Sequence, residues 1–278
     1  MPLFCDTALA GRIERAEARM VAEASEAARR RGADPAGFVI PLAGGVASYA
    51  EPGSPFNKVA GLGFGGVPSE PALAEIEHAF AALGAPVQVE VAHLADPAIG
   101  ALLTGRGYRL ISFENVLGRA LDGGFERVTP PGVEVRLSGA DELGTWVDIV
   151  VAGFAHPDTQ GLPSHEEFSL ELLKRIQRDA ATAAGARRYL ALCDLVLAGG
   201  AMVRIGDGIA QFAGAATVLA YRRRGVQTAL LSARFADAAA AGCDIAVVTT
   251  VPGTKSQQNA QRQGFDLLYT RAVLLKVP

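Results

Sequence analysis

The segment best suited to chemistry is a basic, glycine-containing turn in the last quarter of the chain. An apolar run ending at Thr217–Val218 leads through the three arginines Arg222–Arg224 and Gly225 into a helical pattern. The first N–H groups of a helix have no partner within it, and the helix dipole adds partial positive charge there. Guanidinium groups beside such a turn can pair with phosphate oxygens. The segment therefore predicts an anion site, and an ordinary solvated arginine cluster is the alternative interpretation.

A second glycine-rich run, Gly61–Gly66, satisfies the spacing G-x-G-x-x-G, which binds dinucleotides between a strand and a helix. Glu90 follows near the end of the next strand, where a ribose-binding acid would be needed. Pro68 and Pro71 separate the last glycine from the regular helix, however, and Glu70 would put a carboxylate where a diphosphate should bind. An NAD(P)-dependent oxidoreductase that uses this run is therefore kept as an alternative function.

The cysteines and histidines predict neither a metal site nor a disulfide framework. Cys5, Cys193 and Cys243 are odd in number and lack a CxxC spacing, which favours a reducing compartment. His156 and His165 are separated by a Pro/Gly loop at a spacing that suits metal ligands poorly. No metal is expected.

Composition excludes several classes of protein. The chain has 278 residues, of which 50% are hydrophobic and 20% charged, with a formal net charge of −3. The charge balance lacks the basic surplus that nucleic-acid binding needs. No uncharged apolar run reaches the roughly 18 residues of a membrane span, and charged residues stand where a signal peptide would have its apolar core. We expect a cytoplasmic protein without nucleic-acid or membrane partners.

Periodicity predicts alternating helices and strands. The expected helices lie at 8–31, 69–83, 96–105, 139–154, 164–184, 224–241 and 254–263. The expected strands lie at 38–42, 46–50, 87–91, 133–137, 188–194, 196–204, 209–218, 243–250 and 265–277, with a further strand ending at 117. The Gly/Pro-rich segment 122–132 is typical of a linker. The strand–helix–Gly–aromatic order near 87–108 recurs near 244–265, which indicates two copies of one fold.

The turn and its flanks resemble the GCN5-related N-acetyltransferase (GNAT) family. The family motif, Gln/Arg-x-x-Gly-x-Gly/Ala between a strand and a helix, cradles the pyrophosphate of coenzyme A. Arg222–Gln227 matches it, except that Gln227 replaces the usual small residue. The strand Asp244–Thr250 and the segment Thr254–Phe265 resemble the next family elements, and the run from Pro252 is similar to a bacterial subgroup with two tandem domains.

The resemblance implies an α/β fold with two tandem mixed sheets flanked by helices. A degenerate domain would occupy 1–121 and an acetyl-CoA-binding domain 133–278, joined by the linker 122–132. The match is good over about 133–278 and weaker over 1–120. The first domain has no basic cluster at the corresponding turn, so we do not expect it to bind coenzyme A strongly.

The resemblance also implies a set of site residues. Acetyl-CoA, as cosubstrate, would be held by Ala215, Ala216, Thr217, Arg222, Arg223, Arg224, Gly225, Val226, Gln227, Thr228, Ser256 and Asn259. The usual thiolate-protonating tyrosine and basic glutamate are replaced by Ala260 and Val248. The catalytic residue therefore stays open, with Tyr269, Asn259 and Ser256 as candidates, and with His156, Asp158 and His165 as loop alternatives.

The implied activity is acetyl transfer from acetyl-CoA to a primary amine on a small molecule or peptide. Because the two usual catalytic side chains are missing, a non-catalytic module that binds or senses coenzyme A is an alternative. The first domain would shape the acceptor site or act as a structural partner. A homodimer is one assembly that the sequence allows.

Overall fold

The computed structural model describes residues 3–156, 160–161 and 168–278. In these residues the helices are α1 Thr7–Arg30, α2 Glu70–Ala82, α3 Ala98–Gly105, α4 Leu143–Phe154, α5 Leu170–Ala181, α6 Val226–Ala240 and α7 Lys255–Arg262. The strands are β1 Phe38–Leu42, β2 Gly45–Tyr49, β3 Lys58–Ala60, β4 Val87–Ala92, β5 Arg109–Ala120, β6 Val133–Leu137, β7 Ala186–Cys193, β8 Val196–Gly206, β9 Ile209–Thr217, β10 Ile245–Thr250 and β11 Asp266–Lys276. The predicted α/β class is confirmed.

Several helices begin later than predicted, among them α3, which begins at Ala98 rather than at 96. Helix α6 begins at Val226 rather than at 224, because Arg223 and Gly225 adopt left-handed backbone angles, φ 64° and 84°, that cannot continue a helix. Helix α4 begins at Leu143 rather than at 139. The predicted helix at 164–184 is observed as α5 from Leu170 onward, and residues 162–167 lie outside the described residues.

The described residues form two compact units. The first comprises residues 3–117, 160–161 and 249–278, and the second comprises residues 118–156 and 168–248. Both contain a parallel strand pair joined by a crossover helix: α2 connects β3 to β4, and α6 connects β9 to β10. In each unit this element ends in the strand that opens the strand–helix–Gly–aromatic order recurring near 87–108 and 244–265.

The first unit is a mixed sheet with the strand order β1-β2-β3-β4-β11-β5. Successive residues of a strand point to opposite faces. Val59 of β3 packs with Leu73 of α2, whereas its neighbour Ala60 packs with Ala18 and Val21 of α1. Helices α1 and α2 therefore cover opposite faces of this sheet.

The strand β11 pairs antiparallel with β4, from Arg271 opposite Ala92 to Lys276 opposite Val87. The predicted domain 133–278 includes β11, whereas the pairing of this strand places it in the first compact unit. The domain limits at 121 and 133 stay a prediction.

The second unit is a mixed sheet with the strand order β10-β9-β8-β7-β6. Two adjacent glycines of β8 let helices approach closely on both faces. A Cβ atom placed on Gly200 would lie 2.8 Å from Val150 of α4, and one placed on Gly199 would lie 3.0 Å from Val226 of α6. Helices α4 and α6 therefore cover opposite faces of this sheet. No helix in the described parts of the chain is both long and apolar enough to cross a membrane.

Candidate functional site

The parallel strands β9 and β10 pair only over their first residues. Ile209–Gln211 pairs with Ile245–Val247, and β9 then continues to Thr217 without further pairs to β10. The pairing of β9 with β8 shifts register beside Gly214, whose φ is 55°. Such a bulge bends a strand. The two strands therefore separate. In the described structure, the last five residues of β9 have no strand pairs on the side that faces β10.

The chain leaves this edge through a short 3-10 turn and enters α6 at Val226. Gly225 precedes the helix, and no side-chain hydrogen bond caps α6. The N-terminus of α2, in contrast, is capped by Ser69, whose side chain accepts the Ala72 N–H. Of these two crossover helices, α6 therefore keeps the uncapped donors and positive dipole end that favour an anion.

The three successive arginines of the turn have different surroundings. Arg222 donates to main-chain carbonyls, and Arg224 pairs with Asp194. The hydrogen bond with Asp194 raises the pKa of Arg224. Arg223 is exposed and has no hydrogen-bond or ion-pair partner within the described residues. Arg223 is therefore the arginine of this turn that is placed to meet an external anion.

The turn before α6 is closely packed on one side. A Cβ atom placed on Gly225 would lie 2.7 Å from Pro130, and the positive φ of Gly225 would also strain any other residue. The linker predicted at 122–132 therefore contributes a residue that packs against the turn. Gln227, the departure from the family motif, is exposed rather than directed into the core.

The other predicted cofactor residues lie on two elements. Ala215, Ala216 and Thr217 are half-buried at the end of β9 that has no pairs with β10. Ser256 and Asn259 lie in the first turns of α7, where Ser256 is exposed. Helix α7 is capped by Thr254, whose side chain accepts the Gln257 N–H. The cofactor-binding roles of these five residues stay predictions.

Tyr269, a candidate proton donor, lies in the core of the first unit. Its hydroxyl donates to Glu14 Oε1 at 2.7 Å, and burial together with Glu14 raises its pKa far above the usual range. Ala260 is buried on α7, and Val248 is half-buried on β10. Neither can exchange a proton. His156 is described, whereas Asp158 and His165 lie outside the described residues.

A buried charged cluster in the first unit was missed by the sequence analysis. Arg271 of β11 is 1% exposed, and its Nε donates to Glu14 Oε1 at 2.7 Å. Three further carboxylates, those of Glu17, Glu90 and Glu114, lie 3.7–3.8 Å from its guanidinium nitrogens. Alternation in β4 puts Glu90 on the face opposite Val87, Val89 and Val91, so the local pattern gave no signal of this cluster.

The pKa values in this cluster shift in opposite directions. Burial raises the pKa of Glu114 to about 7, helped by the negative charge of Glu90. Burial also raises the pKa of Glu17. Burial would raise the pKa of Glu90 as well, but Lys58 and Arg271 outweigh that effect and lower it. The cluster therefore holds more acidic groups than its two cations can keep ionised at low cost.

The glycine run Gly61–Gly66 is used for packing within the first unit. Cβ atoms placed on Gly61 and Gly63 would lie 3.0 Å from Ala18 and 2.6 Å from Ala95. Gly65 would approach Gly44 Cα within 2.7 Å. Close protein neighbours thus account for three of its glycines without a nucleotide. The described residues also contain no group of three or more His, Cys, Asp or Glu side chains placed to hold a metal.

Comparisons with known proteins identify the fold. No protein-family model and no curated protein sequence matches the chain. Among solved structures, it is similar to a GCN5-related N-acetyltransferase from Kribbella flavida, with a TM-score of 0.63 and 21% identity over 91% of this chain and 95% of that one. The chain has the GCN5-related N-acetyltransferase fold.

Other structures extend the GNAT likeness to the tandem form. A tandem GNAT protein from the clavulanic acid biosynthesis pathway matches with a TM-score of 0.59 and 14% identity, over 91% of this chain and 87% of that one. A GCN5-related N-acetyltransferase from Sphaerobacter thermophilus matches with a TM-score of 0.54 and 17% identity, over 79% and 71% of the two chains. The GNAT resemblance inferred from the residues of the turn is thus confirmed for the fold.

Proposed function

We propose that the chain is an N-acetyltransferase that moves the acetyl group of acetyl-CoA to a primary amine on a small molecule or peptide. The observation that carries this proposal is the parting of β9 and β10, which leads directly into the uncapped turn before α6. In this fold, the separated strands leave a strand edge that can pair with an extended cofactor. The turn beside them can bind the cofactor's anionic group.

The residues present fit coenzyme A. The amides of the pantetheine arm need main-chain partners, and Ala215–Thr217 presents an edge without ladder partners toward β10. The diphosphate needs convergent donors, and the first N–H groups of α6 together with Arg223 supply them. Gly225 permits the close approach of main chain that this cradle requires.

The reaction needs little covalent help from the protein. The lone pair of the amine attacks the thioester carbonyl carbon, the C–S bond breaks, the amine loses a proton and the thiolate gains one. Because Ala260 and Val248 replace the usual acid and base, we propose that the chain accelerates transfer mainly by positioning the two reactants. Ser256 and Asn259 stay candidates for contacting the cofactor or ordering water, and Tyr269 stays a candidate acid.

Thermal unfolding with coenzyme A, acetyl-CoA, NAD and NADP tests the cofactor assignment. A ligand present at 100 times its Kd stabilises a protein by about 2.7 kcal/mol, so coenzyme A and acetyl-CoA should raise the Tm. Arg223→Glu should abolish the rise, because it places a carboxylate beside the diphosphate. Arg178→Glu, an equal charge change at an exposed position of α5, is the matched control and should keep the rise.

Stabilisation by NAD or NADP alone would contradict the proposal and favour the oxidoreductase alternative. Ala260 and Val248 favour one further candidate, a module that binds coenzyme A without catalysis. Release of the coenzyme A thiol, measured with polyamines, aminoglycosides, amino acids and peptide N-termini, separates the two. Binding without thiol release on any amine would identify the binding module.

A further inference from the structure

The guanidinium group of Arg222 is occupied by three main-chain carbonyls of the second unit. Its Nε donates to Thr217 O at 3.4 Å, and its Nη2 donates to Gly153 O at 3.3 Å and to His156 O. These oxygens belong to the end of β9 and to the end of α4 with the residues that follow it. One side chain therefore joins the strand edge to the helix that packs over it.

The C-terminal end of α4 is a place where a positively charged side chain stabilises the helix. The last carbonyls of a helix have no partner within it, and the dipole favours positive charge there. Gly153 brings this end of the helix very close to β9, since a Cβ atom placed on it would lie 2.5 Å from Ala216 Cβ and 3.2 Å from Thr217 N. The last turn of α4 thus rests on the same strand end that the proposed cofactor would use.

Arg222 and its neighbour Arg223 differ in how many of their guanidinium donors already have acceptors. Arg223 extends into solvent, with no polar partner in the described part of the chain, whereas three of the five guanidinium donors of Arg222 already have acceptors. A phosphate bound by Arg222 would have to compete with those carbonyls. A phosphate bound by Arg223 would displace only water.

We infer that Arg222 is a positioning residue, which couples occupancy of the cofactor turn to the last turn of α4 rather than binding the diphosphate itself. This inference rests on the proposed function. Coenzyme A in the turn would hold the main chain of the turn in place, and Arg222 would transmit this order to Gly153 and His156. Arg222, the first residue of the family motif, thereby holds the last turn of α4 in place beside the end of β9.

Hydrogen exchange of the last turn of α4, measured with and without saturating coenzyme A, tests the coupling. We expect coenzyme A to slow exchange there in the wild type and in Arg223→Gln. In Arg222→Gln the slowing should disappear at saturation, and Arg222→Lys should restore part of it. By calorimetry, Arg223→Gln should weaken coenzyme A binding about tenfold or more, as expected for a lost charge-assisted hydrogen bond, and Arg222→Gln should weaken it less.

A second variant tests the same coupling without changing the arginine. Gly153→Ala should push the end of α4 away from Ala216 and should also remove the slowing. If Arg222→Gln weakens binding as strongly as Arg223→Gln and keeps the slowing, Arg222 is a phosphate ligand and the inference is wrong. A wild type that binds coenzyme A without slowing exchange overturns the inference alone. A wild type that does not bind coenzyme A overturns the proposed function and the coupling together.

Discussion

Glu114 illustrates how strongly a single carboxyl group can depend on its neighbours. It lies beside Arg271 at 3.7 Å, yet its pKa is raised because burial and the charge of Glu90 outweigh Lys58 and Arg271. The folded chain therefore retains a proton at Glu114 that the unfolded chain releases between the ordinary carboxyl pKa and about pH 7. Over that window the contribution of Glu114 to stability falls as the pH rises.

Replacing Glu114 with Gln should remove this pH-dependent cost. We expect Glu114→Gln to increase the free energy of unfolding at pH 8 by about 1–3 kcal/mol. We expect it to change that free energy little near pH 4.5, where Glu114 is protonated in the folded chain and about half protonated in the unfolded chain. Urea unfolding at the two pH values measures the difference. Glu75→Gln, at an exposed position of α2, is the control and should show no such difference. Equal destabilisation at both pH values would contradict the prediction.

Among the elements, the turn before α6 combines backbone strain with close packing. Gly225 and Gly242 both have positive φ, 84° and 79°, but only Gly225 has a neighbour, Pro130, within reach of an added Cβ. The two glycines therefore separate the cost of backbone strain from the cost of the packing clash.

Alanine should cost more stability at Gly225 than at Gly242. The strain of a positive φ costs about 1–2 kcal/mol at either position, and the 2.7 Å approach to Pro130 adds to it at Gly225 alone. Thermal unfolding of the two single variants gives the comparison. Pro130→Gly should reduce the cost of Gly225→Ala specifically. Equal costs at the two glycines would show that Pro130 does not constrain the turn.

Local sequence signals account for most of the elements and for part of the site. The apolar stripe of α2 and its cap Ser69 were predictable because both depend on residues a few positions apart. The later start of α6 was not, because helix periodicity does not reveal the backbone angle of Arg223. The contacts of Arg222 with Gly153 and His156 were also out of reach, since they require α4 to lie on β9.

At the scale of the whole molecule, long-range pairing is what the sequence could not show. The pairing of β11 with β4 brings Arg271 to Glu14 and Glu90 from the far end of the chain. No local pattern specifies such a partner. The domain 1–121 expected from the linker thus lacks a strand that its compact unit contains.

A fragment of residues 1–121 should therefore fail to fold cooperatively by itself. Without Arg271, the carboxylates of Glu14 and Glu90 would be buried with too little positive charge, which is strongly destabilising. A peptide of residues 249–278 should bind the fragment and restore a cooperative unfolding transition, followed by circular dichroism. The same peptide carrying Arg271→Ala should bind much more weakly. A fragment that unfolds cooperatively without the peptide would support the domain limit at 121 instead.

The position of β11 also has a consequence for synthesis on the ribosome. Strand β11 is made well over a hundred residues after β5. At about 5–20 residues per second, the N-terminal half therefore waits roughly 7–30 s for it. During that interval the acidic side chains destined for its interior have no arginine to neutralise them. We therefore expect the nascent N-terminal half to complete its packing only after β11 has emerged.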